Sequence, residues 1–425
     1  MLQALKRALQ LPDLRNKLIF TFAMLVVFRI IAHIPVPGVD PTRLAQLFQT
    51  NQLMGMLNLF SGGSMTTFSI AAMGVYPYIT AQIIMQLLGS TIPSLEELSR
   101  EGEMGRQKIN QYVNLLTVPL AALQAYGTGI LLHSQGILAN FGLFGPATLQ
   151  TIALIMSMTA GTVFLVWLGE LITENGIGNG VSIIIFAGIV SRLPQMVGQS
   201  LVSGGNYFAL VVFAVLGVFT VAAITVVQEA QRRIPVQYAK RIRGNRMYGG
   251  QSTHIPLRVN SAGMIPLIFA MSIMLLPGTV ASYFAVAPGI VGQVASTIRD
   301  VFNATGAIYW TCYFLLVVMF TFFYTMVIFQ QQNLAENLQK YGGFIPGIRP
   351  GRPTAEYLNR VLFRITILGA VFLGVIAILP FFAQGISTTL ILSSTGLLIV
   401  VGVVLDTMKQ LEAQLMMRNY EGFIK

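Results

Sequence analysis

Residues 57–92 read LNLFSGGSMTTFSIAAMGVYPYITAQIIMQLLGSTI, and this stretch decides the fold. It begins with an apolar piece that is too short to cross a bilayer, continues through a glycine break at residues 61–64, and ends in a longer apolar run at residues 70–88. A bilayer core of about 30 Å requires roughly 20 helical residues, which only the second run supplies. Because unsatisfied backbone cannot face lipid, the short piece must be sheltered inside protein. The stretch therefore predicts a half-segment held in a concavity, followed by a full span.

The composition of the chain places it in a membrane. Of its 425 residues, 54% are hydrophobic and only 10% are charged, and the mean hydropathy is +0.70, which is too apolar for a soluble protein. Hydropathy predicts ten spans, of which the fifth and the tenth are short. The spans lie at residues 18–34, 70–92, 112–132, 149–171, 181–197, 207–227, 262–285, 307–329, 361–382 and 389–405. The predicted fold class is an all-α polytopic membrane protein.

The positions of the basic residues predict the orientation. Of the 26 Lys and Arg residues, 22 lie at or beside the two termini and every second loop, whereas the alternate loops hold only Arg43, Arg192 and Arg299. Cytoplasmic loops are enriched in Lys and Arg, so both termini are predicted to be cytoplasmic. An even number of spans independently requires the termini to share a side. We expect a multi-pass protein of the cytoplasmic (inner) membrane.

The outer connection near residues 193–206 contains several glycines and a proline, and it divides the ten spans into five and five. It predicts a hinge between an N-terminal half, residues 1–200, and a C-terminal half, residues 201–425. Inverted repeats are common in channels and transporters, but no internal sequence identity establishes one in this chain.

Two long cytoplasmic loops carry many of the basic residues. Residues 229–258 hold seven Lys or Arg and one acid, and residues 330–360 hold a segment rich in Gly and Pro that predicts a fixed loop rather than a helix. Such charges can simply retain a loop inside and attract anionic lipid. Retention needs only a few charges, however, and both loops are longer than a connection requires. We expect docking surfaces for a large anionic partner, such as RNA or an acidic protein.

Residues that could support catalysis or bind a metal are scattered. The three histidines lie in different loops, and the spans contain no carboxylate pair, Ser/His dyad or Cys cluster. Arg29 and Glu170 lie near span ends, where such side chains can reach the interface. We therefore expect no cofactor, no metal site and no enzymatic activity. An ion-coupled carrier usually places an ionisable group at mid-membrane, and no clear one is present.

Several loop motifs identify a family. They are residues 60–63 (FSGG), 77–79 (PYI), 102–111 (GEMGRQKINQ), 176–180 (GIGNG), 231–233 (QRR), 238–241 (YAKR), 251–257 (QSTHIPL) and 346–351 (PGIRPG). In these motifs the chain resembles the SecY family, the channel subunits of bacterial Sec protein-translocation complexes, over essentially its whole length. The resemblance implies a ten-helix channel of two pseudo-symmetric halves, which moves unfolded polypeptides across the membrane and releases transmembrane segments sideways into the bilayer.

The resemblance also implies roles for particular residues. A re-entrant plug at about residues 57–68 would include Leu59, Phe60, Ser61, Gly62 and Gly63. An apolar pore ring, which seals because narrow apolar constrictions dewet, would consist of Val75, Ile79, Val181, Ile185, Ile268 and Ile399. A lateral gate between the second and seventh spans would include Thr80, Gln86, Asn260 and Leu276. The basic loops would dock a ribosome or a motor through Lys240, Arg241, Arg243, Arg246 and, on the motor side, Arg349.

The partners implied by the family are SecE-type and SecG-type small membrane subunits, the SecA motor ATPase, the ribosome through its RNA and proteins, signal peptides, nascent chains and membrane lipids. From the residues alone, a secondary transporter of a small solute remains an alternative, with the glycine breaks forming discontinuous helices. A scaffold without a pore is a weaker third reading. The missing midplane charge and the two basic loops favour the protein channel.

Overall fold

A computed structural model describes residues 11–36, 39, 44, 61–134, 136–138, 141–142, 145, 147–202, 207–238, 241–243, 246–248, 252–263, 265–284, 289–302, 306–332, 334–383 and 388–421. Most of these residues are helical. The helices are α1 (Pro12–Ile31), α2 (Tyr76–Thr91), α3 (Pro93–Arg100), α4 (Glu103–Ser134), α5 (Thr148–Asn175), α6 (Gly180–Val202), α7 (Tyr207–Glu229), α8 (Ile265–Phe284), α9 (Ile290–Val301), α10 (Ala307–Gln332), α11 (Leu334–Lys340), α12 (Arg352–Ala383) and α13 (Thr388–Glu421). The strands are β1 (Gln231–Tyr238), β2 (Arg241–Arg243), β3 (Arg246–Tyr248), β4 (Ser252–Arg258) and β5 (Gly343–Phe344).

Each predicted span coincides with a helix of the structure. Within the described ranges, four helices are long and apolar enough to cross a membrane, namely α4, α5, α10 and α12. Helices α6, α7 and α8 contain shorter apolar stretches, Gly180–Ser191, Gly217–Glu229 and Ile265–Met274. The structure therefore confirms a mostly helical protein with several apolar helices, and the predicted count of ten spans is consistent with it.

The second span starts later than hydropathy indicated. Helix α2 begins at Tyr76 rather than at residue 70, because Gly74 adopts a positive φ of 58° and Pro77 occupies the first helical turn. Its 16 residues extend only about 24 Å. The turns at residues 70–75, which precede α2, therefore occupy a part of the membrane thickness that a full-length span would have crossed as helix.

Polar helical residues continue beyond the apolar runs of several predicted spans. Most of the charged residues 96–103 belong to α3, which ends shortly before Gly102, where φ is 76°. The fifth and tenth predicted spans cover 17 residues each, whereas the helices that contain them, α6 and α13, have 23 and 34 residues. Hydropathy marks only the apolar part of a helix, so it misses polar turns that continue beyond the membrane.

The basic region after α7 is a small sheet rather than an irregular loop. Strand β1 pairs antiparallel with β4, in a register that aligns Ile234 with Ile255, and β5 adds to the other edge of β1. Strands β2 and β3 form a separate hairpin. Ile234 and Val236 alternate inward along β1 and pack with Leu338 of α11 and Leu358 of α12. This packing fixes the sheet on the helices.

Contacts divide the chain into two compact units. The first consists of Met1–Gly217, Met271–Trp310 and Pro380–Lys425. The second consists of Val218–Ala270 and Thr311–Leu379, and it contains the basic sheet. The predicted pseudo-symmetric halves, residues 1–200 and 201–425, stay a prediction.

Candidate functional site

Residues 61–75, which we call the turn segment, run through the interior of the first unit as a series of turns. Turn hydrogen bonds satisfy part of their backbone, such as the one that Phe68 N donates to the carbonyl of Met65 at 3.1 Å. The Ser61 hydroxyl also accepts from the amide of Met65 at 3.1 Å. Phe68 is buried in a core with Leu132 and Met158. The described part of the half-segment is therefore sheltered, as its length requires.

The turn segment touches α6 at a contact between two glycines. Gly62 has a φ of 64°, and a Cβ built on it would lie 2.8 Å from Cα of Gly188 and 2.9 Å from Cζ of Phe28. A Cβ on Gly188 would in turn overlap Cα of Gly62. Neither position has room for a side chain. Among the predicted plug residues, Gly62 is thus held directly against α6, Ser61 and Gly63 are its neighbours in the chain, and Leu59 and Phe60 lie outside the described residues.

The side chain of Arg29, on α1, contacts the same turn at Gly62. The guanidinium of Arg29 donates a hydrogen bond from Nη1 to the carbonyl of Gly62 at 3.3 Å, and Arg29 is only partly exposed. Sequence reasoning treated Arg29 and Glu170 as charges that reach the interface. Glu170 instead accepts a hydrogen bond from Asn114 Nδ2 at 2.7 Å. The available signal for Arg29 was its position as the one Lys or Arg residue within the predicted span 18–34.

Two predicted ring residues lie on α6 and α13, which pack against each other. Gly396 of α13 approaches Ile189 so closely that a Cβ would lie 2.9 Å from Cγ2 of Ile189. Ile185 lies one turn from both Gly188 and Ile189, and Ile399 lies one turn from Gly396. Ile185 and Ile399 are both buried. The structure therefore brings Ile185 and Ile399 to the faces where α13, α6 and the turn segment meet.

The other ring candidates lie on three elements. Val75 caps the start of α2 and Ile79 lies one turn further, where its amide donates to the carbonyl of Val75 at 3.1 Å; both side chains are buried. Ile268 is buried in α8, within the second unit. Val181 is half-buried, and its Cγ2 lies where a Cβ on Gly169 of α5 would come within 3.0 Å. The side chain of Val181 therefore packs against α5.

A hydrogen bond joins the two helices of the predicted gate. The hydroxyl of Tyr76, in the first turn of α2, donates to the backbone carbonyl of Ser272 in α8 at 3.0 Å, and both residues are buried. Thr80 donates to the carbonyl of Tyr76 at 3.1 Å, so its hydroxyl is used within α2. Sequence reasoning missed Tyr76, because a tyrosine at a span end is usually assigned to the interface.

The remaining gate candidates differ in their surroundings. Gln86 is half-buried in α2, and Leu276 belongs to α8. Asn260 is buried, donates from Nδ2 to the carbonyl of Gly263 at 2.9 Å, and has no partner for Oδ1 among the described residues. A buried unpaired acceptor is costly, so Asn260 is available to a donor that moves into reach.

The docking candidates fall on the β2–β3 hairpin and on the loop that follows β5. Arg241 and Arg243 belong to β2 and Arg246 to β3, whereas Lys240 lies outside the described residues. Arg349 is exposed, and its carbonyl accepts from the hydroxyl of the buried Thr354 at 2.8 Å. The loop predicted from Gly and Pro is confirmed, with positive φ at Gly342, Gly347 and Gly351. Sequence reasoning missed the strands, although the alternation at Ile234 and Val236 was visible.

The chain is similar to known proteins over its whole length. A family model described as SecY matches residues 69–408. The protein translocase subunit SecY of Thermotoga maritima is 46% identical over 436 residues, which cover 100% of this chain and 98% of that protein. Two solved structures share the fold at 20% identity, with 94% of this chain and 92% of theirs covered. One concerns the plug domain of the SecY protein, with a TM-score of 0.65, and the other is Sec61 in the canine ribosome-channel complex from the endoplasmic reticulum, with a TM-score of 0.63.

Proposed function

Because the chain belongs to the SecY family, we propose that it is the central protein-conducting channel of a translocase, moving unfolded polypeptides across the membrane and releasing transmembrane segments sideways into the bilayer. The observation that carries this function is the 46% identity, over the whole chain, to a protein translocase subunit. The apolar helices agree with a multi-pass membrane protein. Transport of a small solute, the alternative that the residues left open, is not supported by these relatives.

The described part of the predicted plug, residues 61–68 of the turn segment, serves as the plug of this channel. One similar structure describes a SecY plug domain that stabilises the closed state of the translocation channel and maintains a membrane seal. In this chain, Gly62 is held by the Gly188 backbone, by the ring of Phe28 and by the guanidinium of Arg29. These contacts of Gly62 involve backbone and few side chains, so the turn at residues 61–63 can move away from α6 without unpacking the core that holds Phe68. The buried ring residues next to it, Ile185 and Ile399, form a second apolar barrier.

The Tyr76–Ser272 hydrogen bond acts as a latch of the lateral gate. It joins α2 to α8 at a point that must separate if an apolar segment is to pass sideways into lipid. Sideways release is favourable for apolar segments, whereas a charge at the bilayer centre costs about 2.5–3.5 kcal/mol on insertion scales. The gate therefore sorts segments by their free energy of transfer and needs no catalysis of its own.

The hydrogen bond also sets the register for a test. The second and seventh spans, α2 and α8, run in opposite directions. A step of four residues along each helix, from Tyr76 to Thr80 and from Ser272 to Leu276, therefore moves the two positions apart. Thr80 and Leu276 should lie about 12 Å apart along the helix axes. In a Cys312→Ala background, Tyr76→Cys with Ser272→Cys should be joined by a short bismaleimide linker. The matched pair, Thr80→Cys with Leu276→Cys, should be joined poorly by it.

The functional readout uses the complex in vesicles that receive a secreted protein and a membrane protein. The short linker at positions 76 and 272 should block membrane insertion of apolar segments, and a long flexible linker should restore it, because only the gate width has changed. Normal insertion through a fully linked short-tether channel would refute the gate. Failure of both substrates in the unlinked wild-type complex, with a competent motor present, would refute the channel function itself.

The basic sheet and the loop around Arg349 dock cytoplasmic partners. A similar structure shows Sec61 in a ribosome-channel complex, which supports ribosomal RNA and proteins as ligands for Arg241, Arg243 and Arg246. Arg349 projects from a loop fixed by Thr354 and contacts the SecA-type motor that supplies the energy for export. SecE-type and SecG-type small subunits complete the complex.

Both termini face the cytoplasm of the cell, and the chain resides in the inner membrane. The charge split between alternate loops supports this orientation. In intact cells, an impermeant thiol reagent should label Gly142→Cys and spare Gly244→Cys in the Cys312→Ala background. The reverse labelling pattern would overturn the orientation and the docking assignment with it.

A further inference from the structure

Helix α9 presents an aliphatic face that the first unit does not cover. Five large side chains on it are between 38% and 78% exposed, and they are Ile290, Val291, Val294, Ile298 and Val301. Helical spacing places all five within a sector of about 100°, so they form one continuous stripe. The opposite side packs inward through Gly292 and Ala295, and a third side carries Gln293, Ser296, Thr297 and Asp300. Five adjacent exposed aliphatics on a short helix indicate contact with something apolar.

The connections on both sides keep α9 close to the membrane. Four residues lie between Phe284, the last residue of α8, and Gly289, and four lie between Phe302 and Ala307, the first residue of α10, so each connection is five Cα–Cα steps long. Each connection can reach at most about 18 Å. Phe284 and Ile308, which flank these connections, are 54% and 59% exposed, as expected of lipid-facing residues. Because α10 is long and apolar enough to span, α9 must lie near the level at which that span starts.

The charges of α9 indicate how it would meet this surface. Its sequence contains one basic and one acidic residue, Arg299 and Asp300, which pair at 3.3 Å. The helix therefore carries no net charge that would attract it to anionic lipid or to a charged protein. Burial of the aliphatic stripe is the remaining driving force, and it does not depend on the headgroup.

From this geometry we infer that α9 lies in the plane of the membrane interface and inserts its aliphatic stripe between the headgroups and acyl chains of the leaflet at which α8 ends and α10 begins. The flanking span ends expose apolar side chains as well, at Phe284 and Ile308, so the occupant is lipid rather than a second protein. Because α9 follows α8 directly, this contact holds the end of a gate helix at a fixed depth. The lipid contact itself does not depend on the proposed channel function.

The test compares the two sides of α9 with spin labels. In the Cys312→Ala background, Val294→Cys and Ile298→Cys carry a nitroxide on the stripe, and Gln293→Cys and Thr297→Cys carry it on the polar side. The full chain, with its small membrane subunits, is reconstituted in vesicles of phosphatidylcholine alone. Collisions are then measured with oxygen, which concentrates in lipid, and with a neutral nickel chelate, which stays in water.

Positions 294 and 298 should show an oxygen-to-nickel collision ratio several-fold higher than positions 293 and 297. Equal access of the nickel chelate to all four positions would overturn the inference, because the stripe would then face water. Exclusion of both reagents from positions 294 and 298 would also overturn it, because a subunit or a second copy of the chain would then cover the stripe. Since all four side chains are exposed, the labels should not disturb folding, and protease resistance of each variant checks this.

Discussion

A single methyl group at Gly188 should displace the turn that we propose as the plug. In the structure, a Cβ at this position would overlap Cα of Gly62, and the next atoms in its way are the amide nitrogen and carbonyl carbon of the same residue. All of them are backbone atoms, so no flexible side chain can move aside. Gly188→Ala therefore requires the turn at residues 61–63 to shift away from α6, which is the movement that we propose opens the plug.

The size of the effect follows from the cost of overpacking. Inserting a methyl group into a well-packed contact typically costs about 1–3 kcal/mol. If the displaced turn resembles the open state, this cost falls on the closed state alone. The ratio of open to closed channels should then rise by roughly 5-fold to 150-fold, because about 1.4 kcal/mol corresponds to a factor of ten.

Resting ion conductance in planar bilayers measures this ratio directly. Gly198→Ala is the matched control, because Gly198 lies in the same helix and a Cβ there meets nothing within 4 Å. Both variants gain the same helix propensity, about 1 kcal/mol, so only the contact with Gly62 differs between them. Equal conductance of the two variants, at equal amounts of folded channel, would refute the assignment of residues 61–63 as a seal against α6.

Three other expectations concern the neighbouring contacts and the docking surface. Arg29→Gln should raise resting conductance about fivefold, since the bond to Gly62 is long and contributes about 1 kcal/mol; unchanged conductance would assign Arg29 to packing alone. Tyr76→Phe should raise the open fraction of the lateral gate by a similar factor. The distribution of distances between spin labels on α2 and α8 measures this fraction, and an unchanged distribution would exclude the latch. Reversing Arg241, Arg243 and Arg246 to Glu should weaken ribosome binding and reduce its salt dependence, because fewer phosphate contacts remain; equal affinity at every salt concentration would place the ribosome elsewhere.

Much of the fold could be predicted because the bilayer constrains it so strongly. A helix must satisfy its own backbone in lipid, so apolar runs at residues 112–132 and 149–171 could become only helices, and the structure has α4 and α5 there. The start of α2 could not be predicted as well. Hydropathy counts residues 70–75 as membrane, but the chain runs through them in turns and Gly74 adopts a positive φ there.

Local features of the sequence were sufficient to predict the class of protein, the positions of the apolar helices, the short half-segment and the family. These follow from local properties, since hydropathy, glycine breaks and loop motifs are each carried by neighbouring residues. Tertiary structure alone decided that Gly62 meets Gly188, that Arg29 binds the carbonyl of Gly62, and that Tyr76 reaches Ser272 across 196 residues of chain. Such contacts join residues whose side chains are unremarkable in isolation. They depend on which helix faces are brought together, and no local pattern of hydropathy or charge records that choice.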